Sequence, residues 1–318
     1  MKKIFLIISI ALLVVIGIYL YCYSDDYKFE KIADNVYVMQ GSPAEPNPEN
    51  KGFMNNPGFI IGDSGAIIID PGSTYQVGKM VLEKIKKITD KPIVAVFNTH
   101  IHGDHWLGNQ AVVERYPNVK IYAHPTMISR AKEGRGQFWV DLMEQLTEGL
   151  STGTVPTYPT DATTNLQIIN AGGETFKMHH NVTNAAHTNT DLMVEHLSSK
   201  TLFLGDNDFL HRHGRFDSSS DMHGNIKTLK YALDLGLTHY VPGHGKPGNA
   251  KTAVQPFLDY LLIVQDVTKK GYKDDLADYE IKPIAHKKLV DYRDWHGYDV
   301  QLGKHISKML LEIEALDF

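Results

Sequence analysis

An apolar run at residues 92–97 opens directly onto Thr99-His100-Ile101-His102-Gly103-Asp104-His105, and no other stretch of this chain leaves so few structures open. In an extended segment alternate side chains share a face, so His100 and His102 present two imidazoles on one side. Gly103 then lets the chain turn, bringing Asp104 and His105 round to a second position. A single histidine after a strand reads as a surface residue; four candidate ligands within six residues do not. The chain has sixteen histidines but one cysteine, Cys22, which lies in the apolar N-terminal stretch. A metal site in the folded part must therefore use imidazole and carboxylate.

Three further residues supply what this cluster lacks. His187 lies in Ala186-His187-Thr188-Asn189-Thr190-Asp191, just before a strand; Asp206 ends Phe203-Leu204-Gly205-Asp206; His244 follows Val241-Pro242-Gly243. Each sits where backbone leaves a sheet, a place that holds a side chain rigidly yet exposed.

Together these residues resemble the motif of the metallo-β-lactamase fold superfamily, His-x-His-x-Asp-His followed by a distant His, Asp and His. The similarity runs from about residue 35 to about residue 248. It implies an α/β fold, a four-layered αββα sandwich, holding two zinc ions per chain, with iron or manganese as alternative occupants. The first ion would take His100, His102 and His187, the second Asp104, His105 and His244, with Asp206 bridging them. Ile69-Asp70-Pro71-Gly72 matches the family's early strand-end aspartate, which supports the metal loop without binding metal. The implied chemistry is hydrolysis by a hydroxide shared between ions ~3.5–4 Å apart, with Asp104 and Asp206 as its catalytic carboxylates.

The resemblance also narrows the activity. The true β-lactamases place a cysteine, or in one subclass a serine, where Asp206 stands, which makes β-lactamase activity the less favoured alternative. A bridging aspartate is similar instead to glyoxalase II, lactonases and exported hydrolases of the superfamily. Glyoxalase II has two glycines after the cluster, whereas this chain continues Trp106-Leu107-Gly108-Asn109. The expectation is a zinc-dependent hydrolase of a small-molecule ester, lactone, thioester or related bond. Alternatives on the same fold are a one-iron persulfide dioxygenase-like oxidoreductase and a phosphodiesterase. A tethered binding module with structural zinc fits less well, because structural sites are closed by four ligands and rich in cysteine.

The rest of the chain reads as a frame for this site. Lys2 and Lys3 precede an uncharged stretch at residues 4–23, long enough at ~1.5 Å per residue to cross a bilayer. Residues 1–25 are thus expected to be a signal anchor or signal peptide, with the lipid bilayer as a partner and the catalytic part extracytoplasmic. A net charge of −5 offers no general attraction to nucleic acid. Residues 30–250 are expected to form the hydrolase domain, and 251–318 a C-terminal helical extension packed on it.

Strands fit residues 35–40, 58–62, 66–69, 92–97, 119–123, 166–169, 175–178, 192–196, 201–204 and 239–241. Helices fit 73–89, 126–150, 225–235, 252–269 and 301–315, with a further one after the histidine cluster. Residues 41–57 read as a loop and 151–164 as a flexible stretch. Two batches of strands with interspersed helices suggest a sheet sandwich covered by helices. Phe138 and Trp139 are expected in the core rather than the cleft. His211 and His213 are read either as hydrogen-bond donors into the cleft or as a solvated loop. His179, His180, His223, His286, His296 and His305 are read as structural, and Trp295-His296-Gly297-Tyr298 as a cover at the cleft edge.

Overall fold

The computed structural model describes residues 27–317. The apolar stretch at 4–23, expected to anchor or export the chain, lies outside the described residues; among those described, no helix is long and apolar enough to cross a membrane.

Two sheets stack face to face. The first has seven strands in chain order: β1 (Phe29–Ala33), β2 (Val36–Met39), β3 (Gly58–Ile61), β4 (Ala66–Ile69), β5 (Ile93–Phe97), β6 (Lys120–Ala123) and β7 (Asp161–Ala162). Strands β1 to β4 are antiparallel and β4 to β7 parallel. The parallel half needs crossovers, and helix α1 (Tyr75–Lys86) makes the one between β4 and β5. The second sheet has five strands in the order β12 (His239–His244), β11 (Thr201–Phe209), β10 (Leu192–His196), β9 (Glu174–His180) and β8 (Ile168–Ala171), with β11 and β12 parallel.

Strand β4 shows why its sequence reads as it does. Ile67 and Ile69 point between the sheets, packing with Phe97, Phe176, Met178 and Phe203. Ala66 and Ile68 face the other way, against Val77, Val81 and Ile85 of α1. Buried on both faces, the strand has no polar position to alternate with. The outer face of the second sheet is covered by α6 (Met222–Asp234), α7 (Gln255–Lys273) and α9 (Tyr298–Asp317), where Leu202 and Tyr240 meet Leu229, Phe257, Leu261 and Ile306. The layers are thus helix, sheet, sheet, helix. Glu312 on α9 accepts the N–H groups of Met222 and His223, so the last helix also caps α6.

Three sequence expectations need correction. The helix expected over 126–150 is two helices, α4 (Pro125–Arg130) and α5 (Gly136–Leu146), joined by a wide turn at Ala131–Arg135. Gly134, at φ 112°, breaks the helix there in a conformation that other residues avoid. Residues 151–164 are pinned rather than free: Thr154 Oγ1 accepts from Tyr75 N–H, Thr160 N–H donates to Ile121 O, and 161–162 complete the first sheet. Strand β1 and helix α8 (Asp278–Lys288) were not foreseen; α8 carries an internal Pro283 and buries only Ile281 and Ala285.

Candidate metal centre

The site forms where loops from both sheets meet. Asp70 follows β4 at φ 51°, a left-handed conformation that aspartate tolerates. Its Oδ1 accepts the Thr99 N–H at 2.8 Å, and its Oδ2 accepts the Thr99 hydroxyl at 2.6 Å and the Nδ1–H of His105 at 2.8 Å. The loop after β5 is tied to the second sheet as well. Ile101 N–H donates to Thr190 Oγ1 at 3.1 Å, and Leu192 N–H to Thr99 O at 2.7 Å. Asp191 shapes the loop carrying His187 by accepting from Thr188 N–H and its hydroxyl; burial pushes the Asp191 carboxyl up to about 7.

His102 precedes helix α2 (Gly103–Trp106), whose first turn carries Asp104 and His105. Asp206 lies within β11, which runs on to Phe209 past its expected end, and His244 closes the neighbouring β12. These two strands approach closely enough to demand glycine. A Cβ on Gly243 would stand 2.0 Å from Asp206 Oδ1. Gly205, at φ 55°, leaves no room beside Thr99.

All seven expected ligand residues converge. His100, His102, His187 and Asp206 form one group and Asp104, His105, Asp206 and His244 another, each with its ligand atoms within 4.8 Å of one another. Asp206 belongs to both through different oxygens. Its Oδ2 is 3.7 Å from His100 Nε2 and 3.5 Å from His187 Nε2. Its Oδ1 is 3.0 Å from His105 Nε2 and 3.3 Å from His244 Nε2. Asp104 Oδ2 lies 3.3 Å and 3.2 Å from the same two nitrogens.

Whether these residues suit cations follows from where the ring protons go. His105 donates Nδ1–H to Asp70, and His244 donates Nδ1–H to the Met54 carbonyl at 2.7 Å. Both Nε2 atoms then carry bare lone pairs, 3.4 Å apart. His187 Nε2 and His102 Nδ1 meet at 3.0 Å, and His100 Nε2 is buried without a hydrogen-bond partner. Lone pairs facing one another in a dry site are stabilised by a cation between them.

The electrostatics agree. Burial holds His100 well below its usual range and His187 down to about 3, so both are neutral donors. Burial also depresses His105, but Asp206, Asp104 and Asp70 outweigh it and hold that ring well above its usual range: the spot demands positive charge. For Asp104, burial is outweighed by His105 and His244, which hold the carboxyl well below its ordinary value. Imidazole and carboxylate donors suit zinc and neighbouring divalent ions.

A third group, Asp221, His223 and Glu312, also draws together. Its carboxylates are already engaged at the N-terminus of α6, where Asp221 accepts from Gly224 N–H and Glu312 from His223.

The centre floors a cleft of about 210 Å³. Phe138, Trp139, Leu142 and Leu146 of α5 form one wall, and Arg135, Arg212, Arg215 and Glu45 stand round it. Trp139 packs its ring 4.9 Å from that of His102 and Phe138 is 45% exposed, so both line the cleft, Trp139 also packing as expected on the small core around Ile101 and Leu107. The kink at Gly134 turns their helix toward the metal groups, which no local pattern announces. Neither His211 nor His213 lines the cleft: His213 is buried among Tyr260, Trp295 and Tyr298, and His211 lies outside against Trp295. Arg212, between them, does line it. Trp295 and His296 brace this segment from behind, with His213 N–H donating to His296 O, instead of covering the cleft edge.

Sequence reasoning missed Asn56, whose side-chain NH2 donates to Pro242 O at 2.9 Å and Gly245 O at 2.6 Å, clamping the His244 loop. It also missed Asp217, 4.0 Å from His102 Nε2. Neither has a motif; Asn56 has only the oddity of paired asparagines before a proline.

Comparison with known proteins places this geometry in context. Residues 50–244, more than half of the chain, match the family described as the metallo-beta-lactamase superfamily. A linear primary-alkylsulfatase from Pseudomonas sp. (strain ATCC 19151) is 40% identical over 74 residues, covering 22% of this chain and 14% of that protein. A hydroxyacylglutathione hydrolase from Synechococcus sp. (strain JA-2-3B'a(2-13)) is 42% identical over 57 residues, covering 18% of this chain and 21% of that protein. The chain thus spans only a minor part of these curated relatives. Among solved structures, a stereoselective inverting sec-alkylsulfatase from Pseudomonas sp. superposes with a TM-score of 0.66 at 17% identity, covering 89% of this chain and 50% of that one. A metallo-beta-lactamase from Pontibacter korlensis gives 0.58 at 17% identity, covering 74% and 99%. At this identity the superpositions speak to fold alone.

Proposed function

Because this chain belongs to the metallo-β-lactamase superfamily, we propose that it is a metal-dependent hydrolase of a small-molecule ester, lactone, thioester or related bond, working with two zinc ions. His100, His102 and His187 would hold one ion, Asp104, His105 and His244 the other, with Asp206 shared. The observation that carries this reading is that the two oxygens of Asp206 face separate groups of ligand atoms. Such a pair of cations supplies Lewis acidity and an activated water at neutral pH.

The chain's own residues supply the rest. Asp206 sets the separation of the two groups, and Asp104, kept ionised by His105 and His244, would accept a hydrogen bond from the attacking water and steer its proton. Asp70 and the Met54 carbonyl fix the tautomers of His105 and His244. The wall of α5 excludes bulk water from one side. Two relatives carry hydrolytic names, one for a hydroxyacylglutathione and one for an alkyl sulfate, so sulfate esters join the classes to be tried. A one-iron oxidoreductase would leave the group of Asp104, His105 and His244 without a task. The proposal also places the catalytic part outside the cytoplasm, with residues 4–23 in the bilayer; fractionation of cells carrying the full chain tests this, and a soluble cytoplasmic product would reject it.

The decisive experiment is metal quantification joined to a panel of p-nitrophenyl esters, lactones, thioesters, phosphodiesters, alkyl sulfates and nitrocefin. Two zinc per chain and turnover of one class are expected, both lost in His102→Ala and Asp206→Ala. Turnover by metal-free protein, or one iron per chain, would overturn the reading.

A further inference from the structure

The walls of the cleft carry information that the metal groups do not. Three guanidinium groups line it, Arg135, Arg212 and Arg215, with one carboxylate at its edge, Glu45. Glu45 is occupied: its Oε1 is 2.9 Å from Arg212 Nη2, and its Oε2 is 3.7 Å from Arg215 Nη2. Arg212 is further satisfied by the Pro43 carbonyl at 3.1 Å. Arg135 differs. Among the described residues it forms no ion pair, and its Nε is buried without a hydrogen-bond partner.

Arg135 is nonetheless held in place. Its Cζ lies 4.2 Å from the Phe138 ring centroid and 5.6 Å from that of Trp139, and Trp139 in turn packs on His102. Two aromatic faces thus fix a permanently charged fork one ring away from the candidate metal ligands. The kink at Gly134 is what turns this arginine and the start of α5 toward the cleft. Beside it, Phe138, Leu142 and Leu146 form an apolar wall. A fixed cation with free donors, next to an apolar surface, is complementary to an anion carried on a hydrocarbon or aromatic body.

We propose that Arg135 is a specificity-determining residue, and that the substrate carries, apart from the bond that is cleaved, an anionic group such as a carboxylate or sulfonate on an apolar body lying along Phe138, Leu142 and Leu146. This deepens the hydrolase reading and rests on it only in taking the cleft as the substrate site. Asp104, Asp206 and Asp217 line the same cleft on the side of the candidate metal groups, where bound cations would offset their charge, so the placement of the anion rests on the unengaged Nε of Arg135.

Calorimetric binding of octane-1-sulfonate and octan-1-ol to the zinc-loaded protein separates charge from apolar contact, since the two probes share one chain. Arg135→Gln is expected to weaken the sulfonate about tenfold more than the alcohol, in line with loss of a charge-assisted hydrogen bond. Arg135→Lys should recover part of that difference. The ratio of the two probes within one variant is insensitive to general damage to the fold. Equal losses for both probes, or none for either, would overturn the proposal. If no bond in the panel is cleaved but the sulfonate still depends on Arg135, the hydrolase reading falls and this one stands. If turnover is found and the two probes lose equally, the reverse holds.

Discussion

Replacing Asp70 with asparagine tests how a residue outside both candidate ligand groups governs one within them. Three donors converge on its carboxylate: Thr99 N–H, the Thr99 hydroxyl and His105 Nδ1–H, at 2.8, 2.6 and 2.8 Å. Asparagine keeps the size and accepts the same left-handed backbone, so the change isolates the second oxygen and the charge. If the amide oxygen stays on Thr99 N–H, the new NH2 group faces the Thr99 hydroxyl, which can rotate to accept, and His105 Nδ1–H, which cannot. His105 then escapes by shifting its proton to Nε2, the atom that faces Asp104, Asp206 and His244. Its lone pair is lost to the cation. A hydrogen bond to a charged group contributes roughly 1.5–3 kcal/mol. At ~1.4 kcal/mol per tenfold, that is about a ten- to hundredfold loss of metal affinity. The loss should fall on the ion held by Asp104, His105 and His244 and spare the other, which a stepwise competition with a chromophoric chelator resolves. Unchanged affinity at both sites, or a loss confined to the site of His187, would refute the reasoning about tautomers.

Two further outcomes follow from the packing. Gly243→Ala drives a Cβ into Asp206 Oδ1, so the carboxylate that both groups share must move; circular dichroism should stay native while zinc content falls below one per chain. Full zinc content in that variant would show that Asp206 is not needed where it stands. His305 is buried, accepting from the Tyr260 hydroxyl at 2.8 Å and donating to Gly214 O at 2.9 Å; burial lowers its pKa to about 4. In the unfolded chain it titrates near ~6.5, so between those values the unfolded state binds more protons and stability falls as pH drops. This group should contribute about 3 kcal/mol of that loss, complete below its folded pKa. Urea unfolding of metal-free protein should therefore show a flatter pH dependence between pH 6.5 and 4 for His305→Gln, and an equal slope would reject the assignment.

Much of the site was written locally. The strand before His100, the alternation that pairs it with His102 and the turn at Gly103 are short-range geometry, whereas His187, Asp206 and His244 are each weak signals alone and gained meaning only beside that cluster and the family motif. Asp70 was visible only through its match to that motif. The two-sheet sandwich was legible because a strand such as β4, apolar at every position, must be covered on both faces.

The cleft is another matter. That Phe138 and Trp139 face the metal groups depends on the direction in which one helix restarts after Gly134, and that direction is decided by what it packs against. That Arg212 reaches the cleft while His211 and His213 do not depends on contacts with Trp295 and Tyr298, some eighty residues away. Spacing along a chain encodes which side chains share a face, and so it paired His100 with His102, while resemblance to the family motif named the remaining candidate ligands. Which walls those ligands look out upon is settled by long-range packing, for which the chain carries no local sign.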